Sequence, residues 1–170
     1  PKAIESIEKM ENIRLLSGFN ELDRILGGGY VLGAAVLIGG EPGVGKSTLL
    51  LQSLLRMKSV RSLYASGEES SQQIQYRASR LEEYRGSEHV YVFCENNVDA
   101  ILTELSGGNY QLVVVDSVQT LYDPALDSSP GTVSQVRECS FRLVEHCKEK
   151  NIPVVLIGHI NKERSEEHTS

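Results

Sequence analysis

The chain is poor in the features that would place it outside the ordinary globular class. Its 170 residues include only three cysteines, Cys94, Cys139 and Cys147, and no two stand in Cys-x-x-Cys spacing. That excludes a disulfide framework and a zinc ribbon, and leaves thiols suited to a reducing, cytoplasmic compartment. No apolar run approaches the roughly 18 residues that cross a bilayer. Pro1-Lys2-Ala3-Ile4-Glu5 lacks the apolar core of a signal peptide, so no membrane partner is expected. A surplus of positive charge is also missing. The formal net charge is −6, so any nucleic-acid contact must be local, on loops, or created by assembly. No internal repeat or low-complexity block is visible.

What remains is 40% hydrophobic and 24% charged residues, ordinary proportions for one soluble domain. Apolar runs alternate with helix-like segments. Strands are expected at Val36–Ile38, Ser62–Ala65, Val90–Phe93, Leu112–Asp116 and Val154–Ile157. Helical spacing covers Phe19 to Leu26 (Phe19, Leu22, Ile25 and Leu26 inward), stopped by Gly27-Gly28-Gly29. It recurs after Lys46, after Ser70 or Ser71 as cap (Ile74, Ala78, Leu81 inward), over Val98–Leu105, and up to Lys150 with Val136, Ser140, Leu143, Val144 and Cys147 inward. The alternation predicts an α/β fold, a mainly parallel sheet with helices on both faces. Residues 1–13 read as a linker or frayed helix, and 14–163 as an ATPase domain incomplete at its C-terminus.

The most informative stretch is Gly40-Glu41-Pro42-Gly43-Val44-Gly45-Lys46-Ser47, followed by Thr48. It fits G-x-x-x-x-G-K-S/T between a predicted strand and a predicted helix, the context a phosphate-binding loop requires. Glycines let successive N–H groups point at one anion, and the helix adds the positive end of its dipole. Lys46 can reach the β- and γ-phosphates of ATP, and the Ser47 hydroxyl can bind Mg²⁺.

Ligands in such sheets bind beyond the carboxyl ends of the strands, and polar residues stand there in this chain. Asp116 ends an apolar run, the Walker-B pattern, and can hold the Mg²⁺ shell opposite Ser47, directly or through water. An Asp after a strand is also a common helix cap. Glu68 and Glu69 follow the second strand. Glu68, nearer the strand end, suits polarising water at the γ-phosphate, although two acids also favour a helix N-terminus. His159 after the last strand can sense the γ-phosphate or be an ordinary surface residue, and Gln119 is a weaker choice for the same signalling. Tyr76 and Arg77 could meet adenine, against core packing and solvated charge as plainer readings. The loop 123–132 holds no Lys or Arg, with Arg137 the nearest cation. It is a thin basis for phosphate contacts and could be an ordinary surface loop.

Together these stretches resemble the RecA-like P-loop ATPase domain of the bacterial RadA (Sms) family of DNA repair and recombination proteins. The most specific are Ser66-Gly67-Glu68-Glu69-Ser70, Asp116-Ser117-Val118-Gln119-Thr120, Ser134-Gln135-Val136-Arg137-Glu138 and Gly158-His159-Ile160-Asn161-Lys162-Glu163. The resemblance implies a homo-hexameric motor driven by ATP. It would bind single-stranded DNA and recombination intermediates and promote branch migration. Lys46, Ser47 and Asp116 would hold Mg-ATP, Glu68 would activate water, and His159 would match the γ-phosphate sensor. The loop 123–132 and the one starting at Lys162 would meet DNA, and a neighbouring subunit would lend a cation to the site.

Departures accompany the match. The four-cysteine zinc module, the Lys-Asn-Arg-Phe-Gly motif and the Lon-like domain are not in this sequence, and Leu32 stands where the family has Pro. Arg164-Ser165-Glu166-Glu167-His168-Thr169-Ser170 can be encoded by AGATCGGAAGAGCACACGTCT, a short-read sequencing adapter, so 164–170 is expected to be a non-native tail. The chain as given is expected to bind nucleotide, with weak or absent hydrolysis. Two other readings stay open. One is a regulatory ATPase or kinase of the circadian-clock type. The other is a nucleotide-gated assembly module that does not hydrolyse ATP.

Overall fold

A computed structural model describes residues 1–8 and 13–160. The elements run β1 (Arg14–Leu15), α1 (Asn20–Ile25), β2 (Tyr30–Val31), β3 (Ala35–Gly40), α2 (Lys46–Arg56), β4 (Ser62–Ser66), α3 (Ser71–Ser79), β5 (Val90–Phe93), α4 (Val98–Gly107), β6 (Leu112–Asp116), α5 (Val133–Glu149) and β7 (Val154–His159). Short 3₁₀ turns lie at Ile4–Ser6, Glu82–Tyr84 and Val118–Thr120. The expected linker at 1–13 is thus described only in part, and Lys162 with the suspected tail lies outside the described residues.

Five strands form one wholly parallel sheet in the order β3-β7-β6-β4-β5. The chain steps outward from β3 through β4 to β5, then returns through β6 to β7, which lands beside β3. Every strand therefore ends on the same side. That brings Gly40, His159, Asp116 and Ser66 to one rim, with Gly40 in register with His159 and Ser66 with Asp116.

Strand parity sorts the core into two layers. Leu63, Ala65, Val113, Val115, Val154 and Leu156 face α4 and α5, against Ile101, Leu105, Cys139, Leu143 and Cys147. Tyr64, Leu112, Val114, Val155 and Ile157 face α2 and α3, against Leu50, Leu54, Ile74 and Ala78. β4 and β6 are buried along their whole length, as continuous apolar runs require. β3 is an edge strand, and Leu37 on it is 71% exposed. The antiparallel pair β1–β2 brackets α1, a feature two residues per strand leave no periodicity to reveal.

Three expectations need correction. Ile25 does not face inward but is exposed, because α1 is short and only Leu22 of it is buried. On α5 Leu143 and Cys147 are buried and Val136 and Val144 pack against the core as expected, but the fully buried places on the first two turns are Gln135 and Cys139 rather than Val136 and Ser140. A polar Gln holds the first core position there, so apolarity pointed to its neighbour. Leu81 lies past the end of α3, whose cap is Ser70: its hydroxyl accepts from Gln73 N–H, and the Gln73 side chain reciprocates.

Candidate nucleotide site

The loop between β3 and α2 curls through two left-handed residues, Gly43 at φ 84° and Gly45 at φ 92°. A Cβ at either would meet nothing within 4 Å, so backbone conformation, not crowding, calls for glycine. Gly45 is the N-cap of α2 and offers no side-chain cap, which leaves the first-turn N–H groups for a ligand. Lys46 is folded back over the loop. Its ammonium donates to the carbonyls of Gly40 at 2.9 Å and Glu41 at 2.7 Å.

Asp116 shares strand parity with Leu112 and Val114, so its carboxylate faces α2. There the Ser47 hydroxyl donates to Asp116 Oδ2 at 2.6 Å. A second donor reaches the same oxygen, the Tyr64 hydroxyl at 2.6 Å. Burial, then the Asp116 charge, pushes the Tyr64 phenol well above its ordinary range, so it stays a donor at neutral pH. Sequence reading missed Tyr64. The only signal was a hydroxyl-bearing residue in a buried strand, on the same parity as the P-loop helix.

β7 brings the third group. His159 sits beside Gly40, and Ile160 N–H donates to Gly40 O at 2.9 Å. The His159 main chain is gripped by the Gln119 side chain, which donates to its carbonyl at 3.0 Å and accepts from its N–H at 3.3 Å. Its Nδ1 is buried and has no hydrogen-bond partner among the described residues. A crevice of about 240 Å³ gathers Gly43, Gly45, Lys46, Ser47, Thr48, His159 and Arg77. Arg77 is therefore not a freely solvated charge: it is partly buried and pairs with Glu69 at 2.7 Å. Tyr76 is exposed on α3.

Glu68 stands apart from this group. It is exposed and lines a neighbouring cleft with Glu69, Cys94, Glu95 and Asn96. Its side chain makes no hydrogen bond or ion pair among the described residues. The turn that carries it is fixed by Gly67 N–H, which donates to Asp116 O at 3.2 Å. A larger open groove, about 640 Å³ against α5 at Leu102, Phe141 and Arg142, contains none of these groups.

The crevice fits a magnesium–nucleotide. Its floor is a backbone cradle with a lysine, and its metal side offers a hydroxyl and a carboxylate oxygen. Mg²⁺ typically takes one or two protein oxygens and completes its shell with phosphate and water. No cluster of three or more His, Cys, Asp or Glu suited to a metal occurs among the described residues, so nothing competes as a dedicated cage.

The segment after β6 is a pinned strap. Asp123 is buried, its carboxylate bound by Arg142 at 3.1 Å. Gln135 brackets the strap, accepting from Asp123 N–H at 2.7 Å and donating to Ser128 O at 2.8 Å. No described helix is long and apolar enough to cross a membrane.

A parallel sheet with a phosphate loop at its rim defines a RecA-like P-loop ATPase fold. A family model described as an AAA domain matches residues 5–165, and the chain belongs to that family. It is 50% identical over 159 residues to the DNA repair protein RadA of Aquifex aeolicus, covering 93% of this chain and 35% of that protein. Against RadA of Bacillus subtilis the identity is 47% over 167 residues, 97% of this chain and 36% of that one. The chain thus spans about a third of the length of these relatives. Among solved structures, a DnaB-like replicative helicase superposes with a TM-score of 0.70 at 19% identity, covering 88% of this chain and 44% of that one. The RadB recombinase superposes with 0.64 at 24%, covering 91% and 75%. These carry the fold alone, while the sequence match carries the resemblance to RadA.

Proposed function

We propose that the chain is the ATP-hydrolysing core of a DNA repair and recombination motor that moves on single-stranded DNA, promotes branch migration and works as a homo-hexamer. The observation that supports this most is the Ser47 hydroxyl on Asp116 Oδ2 at 2.6 Å, a hydroxyl and a carboxylate converging where a phosphate loop opens into a helix. When bound, Mg²⁺ supplies charge neutralisation for the phosphates. Lys46 leaves the loop carbonyls for the phosphate oxygens, and Ser47 and Asp116 hold the metal shell. Glu68 orients the attacking water and accepts its proton. His159 offers its unpaired ring nitrogen toward the terminal phosphate and passes the phosphate's state through Gln119 to the strap at 123–132, the segment we assign to DNA. Lys162, which would begin the second DNA loop, lies outside the described residues.

One observation favours a second reading. Glu68 lines the cleft next to the crevice, as it would in an assembly module that binds ATP without hydrolysing it. ATP turnover by the intact protein, with and without single-stranded DNA, separates the two. The motor requires DNA stimulation that is lost in Lys46→Ala and in Glu68→Gln, with ATP binding kept in Glu68→Gln. A rate indifferent to DNA, or to Glu68→Gln, refutes it.

A further inference from the structure

The hydroxyl of Tyr64 reaches the metal side of the site from inside the core. The residue is fully buried on β4 and belongs to the layer of Leu50, Leu54, Ile74, Leu112 and Val114. Packing in that layer would be served as well by phenylalanine. A hydroxyl buried among aliphatic neighbours weakens a fold unless it finds a partner. Its partner is Asp116 Oδ2 at 2.6 Å, the oxygen that also takes the Ser47 hydroxyl at 2.6 Å. Both distances are those of strong hydrogen bonds to a carboxylate. The two donors differ in kind. Ser47 lines the crevice and is itself a group the metal would engage. Tyr64 stands behind the crevice on a strand in register with β6, Ser66 beside Asp116. A phenol also differs from a cation in that place. It orients the carboxylate without cancelling its charge, whereas a lysine or arginine would offset the charge that attracts Mg²⁺.

We propose that Tyr64 is a positioning residue for the Mg²⁺ side: it holds the Asp116 carboxylate in the orientation that meets Ser47 before metal and nucleotide arrive. The proposal rests on the reading of the crevice as a magnesium–nucleotide site. With the phenol in place, the hydroxyl and the carboxylate are already set against each other. Without it, Asp116 Oδ2 keeps only Ser47 of these two donors. The carboxylate must then be ordered as the metal binds, and that ordering weakens metal affinity.

The test compares the intact protein with its Tyr64→Phe variant, using a fluorescent ATP analogue. Affinity is measured in EDTA and across a Mg²⁺ titration, with kcat over the same titration and the thermal midpoint without nucleotide. Tyr64→Phe should leave the metal-free affinity unchanged. It should raise the Mg²⁺ needed for half-maximal tightening by about 10–100-fold, the usual effect of losing a partner behind a metal ligand. kcat should fall at low Mg²⁺ and recover at saturating Mg²⁺, because Ser47 and Asp116 are both still present. In an Asp116→Asn background Tyr64→Phe should add nothing to the Mg²⁺ dependence, and a full effect there would overturn the proposal. A lower thermal midpoint with wild-type Mg²⁺ dependence would mark a plain core hydrogen bond and overturn it too. If Tyr64→Phe does not fold, wild-type protein with isotope-labelled tyrosine Cζ carries the comparison. The Tyr64 resonance should move when Mg²⁺ joins the bound nucleotide, and a resonance indifferent to Mg²⁺ overturns the proposal. A wild type that binds no nucleotide overturns the crevice reading and this proposal together, whereas an active wild type whose Mg²⁺ dependence survives Tyr64→Phe overturns this proposal alone.

Discussion

Gln135→Leu should loosen the strap at 123–128 by a calculable amount. Gln135 is 1% exposed. Its Oε1 accepts from Asp123 N–H at 2.7 Å, and its Nε2 donates to Ser128 O at 2.8 Å and to Asp123 O at 3.3 Å. Leucine nearly preserves the volume and removes these three bonds together with the weak one from the Cys139 thiol to Oε1. Each of the three is worth about 1 kcal/mol net, and the buried Asp123 N–H left unpaired makes the total loss about 2–4 kcal/mol. For a chain of this size about 3 kcal/mol lowers the thermal midpoint by about 6–12 °C. Calorimetry gives the midpoint, and hydrogen exchange should show lost protection confined first to 123–128. Ser134→Ala is the control: its hydroxyl bonds only on the exposed surface, so its effect should stay within about 0.5 kcal/mol. If the strap is the DNA segment, Gln135→Leu should also reduce the stimulation of ATP turnover by single-stranded DNA. A midpoint within about 3 °C of wild type would refute the bracket, because the lost hydrogen bonds would then be worth nothing net.

Gly67→Ala should be costly, since an added Cβ would lie 2.8 Å from Thr120 Cβ and 3.2 Å from Asn96 Cβ. Overpacking of this kind typically costs about 1–3 kcal/mol, read by urea unfolding, and kcat should fall more than nucleotide affinity because Glu68 follows directly. Thiol titration with a chromogenic disulfide at pH 8 should count one reactive cysteine in the native protein and three after denaturation. Cys94 alone is exposed, while burial pushes Cys139 up to about 11 and Cys147 up to about 12. A backbone hydrogen bond, then Arg56 at 2.9 Å, holds the Glu83 carboxyl below its usual range. Its stabilisation is present above the unfolded glutamate pKa of about 4.3 and is lost as pH falls through the lower folded value. Glu83→Gln should therefore lower the urea midpoint at pH 7, and the difference from wild type should shrink as the pH is lowered through the range in which the carboxylate protonates.

The parts legible in the sequence are those where one residue type answers one local demand. The strands at Val90–Phe93 and Leu112–Asp116 fall as expected because apolar runs bounded by polar residues have one solution inside a parallel sheet. The phosphate loop was legible because Gly43 and Gly45 adopt backbone angles other residues avoid, and Lys46 and Ser47 follow at fixed spacing. Gln135 was illegible as a core residue because its polarity hid its burial. Its role depends on Asp123, which the turn after β6 brings back to α5. Arg77 was read as solvated because an arginine on a helix usually is. Its ion-pair partner Glu69 lies in the turn before α3, and nothing in the helix pattern announces it.

Tyr64 shows why the metal side of the site resists sequence reading even when its carboxylate is found. Asp116 faces α2 because it keeps step with Leu112 and Val114. A one-residue slip along β6 would turn it toward α5 and away from Ser47. Tyr64 keeps the corresponding step on β4, whose Ser66 is paired with Asp116. Its side chain therefore emerges on the same face and reaches the carboxylate diagonally across the two strands. Sequence supplies the alternation on each strand, but which alternate faces the P-loop helix depends on the order β3-β7-β6-β4. That order follows from the return path of the chain after β5. A residue's chemistry can be read before the fold is known. Which side chains it meets depends on a parity that the topology fixes, and this explains how a serine and an aspartate could be expected together while the tyrosine bonded to that aspartate could not.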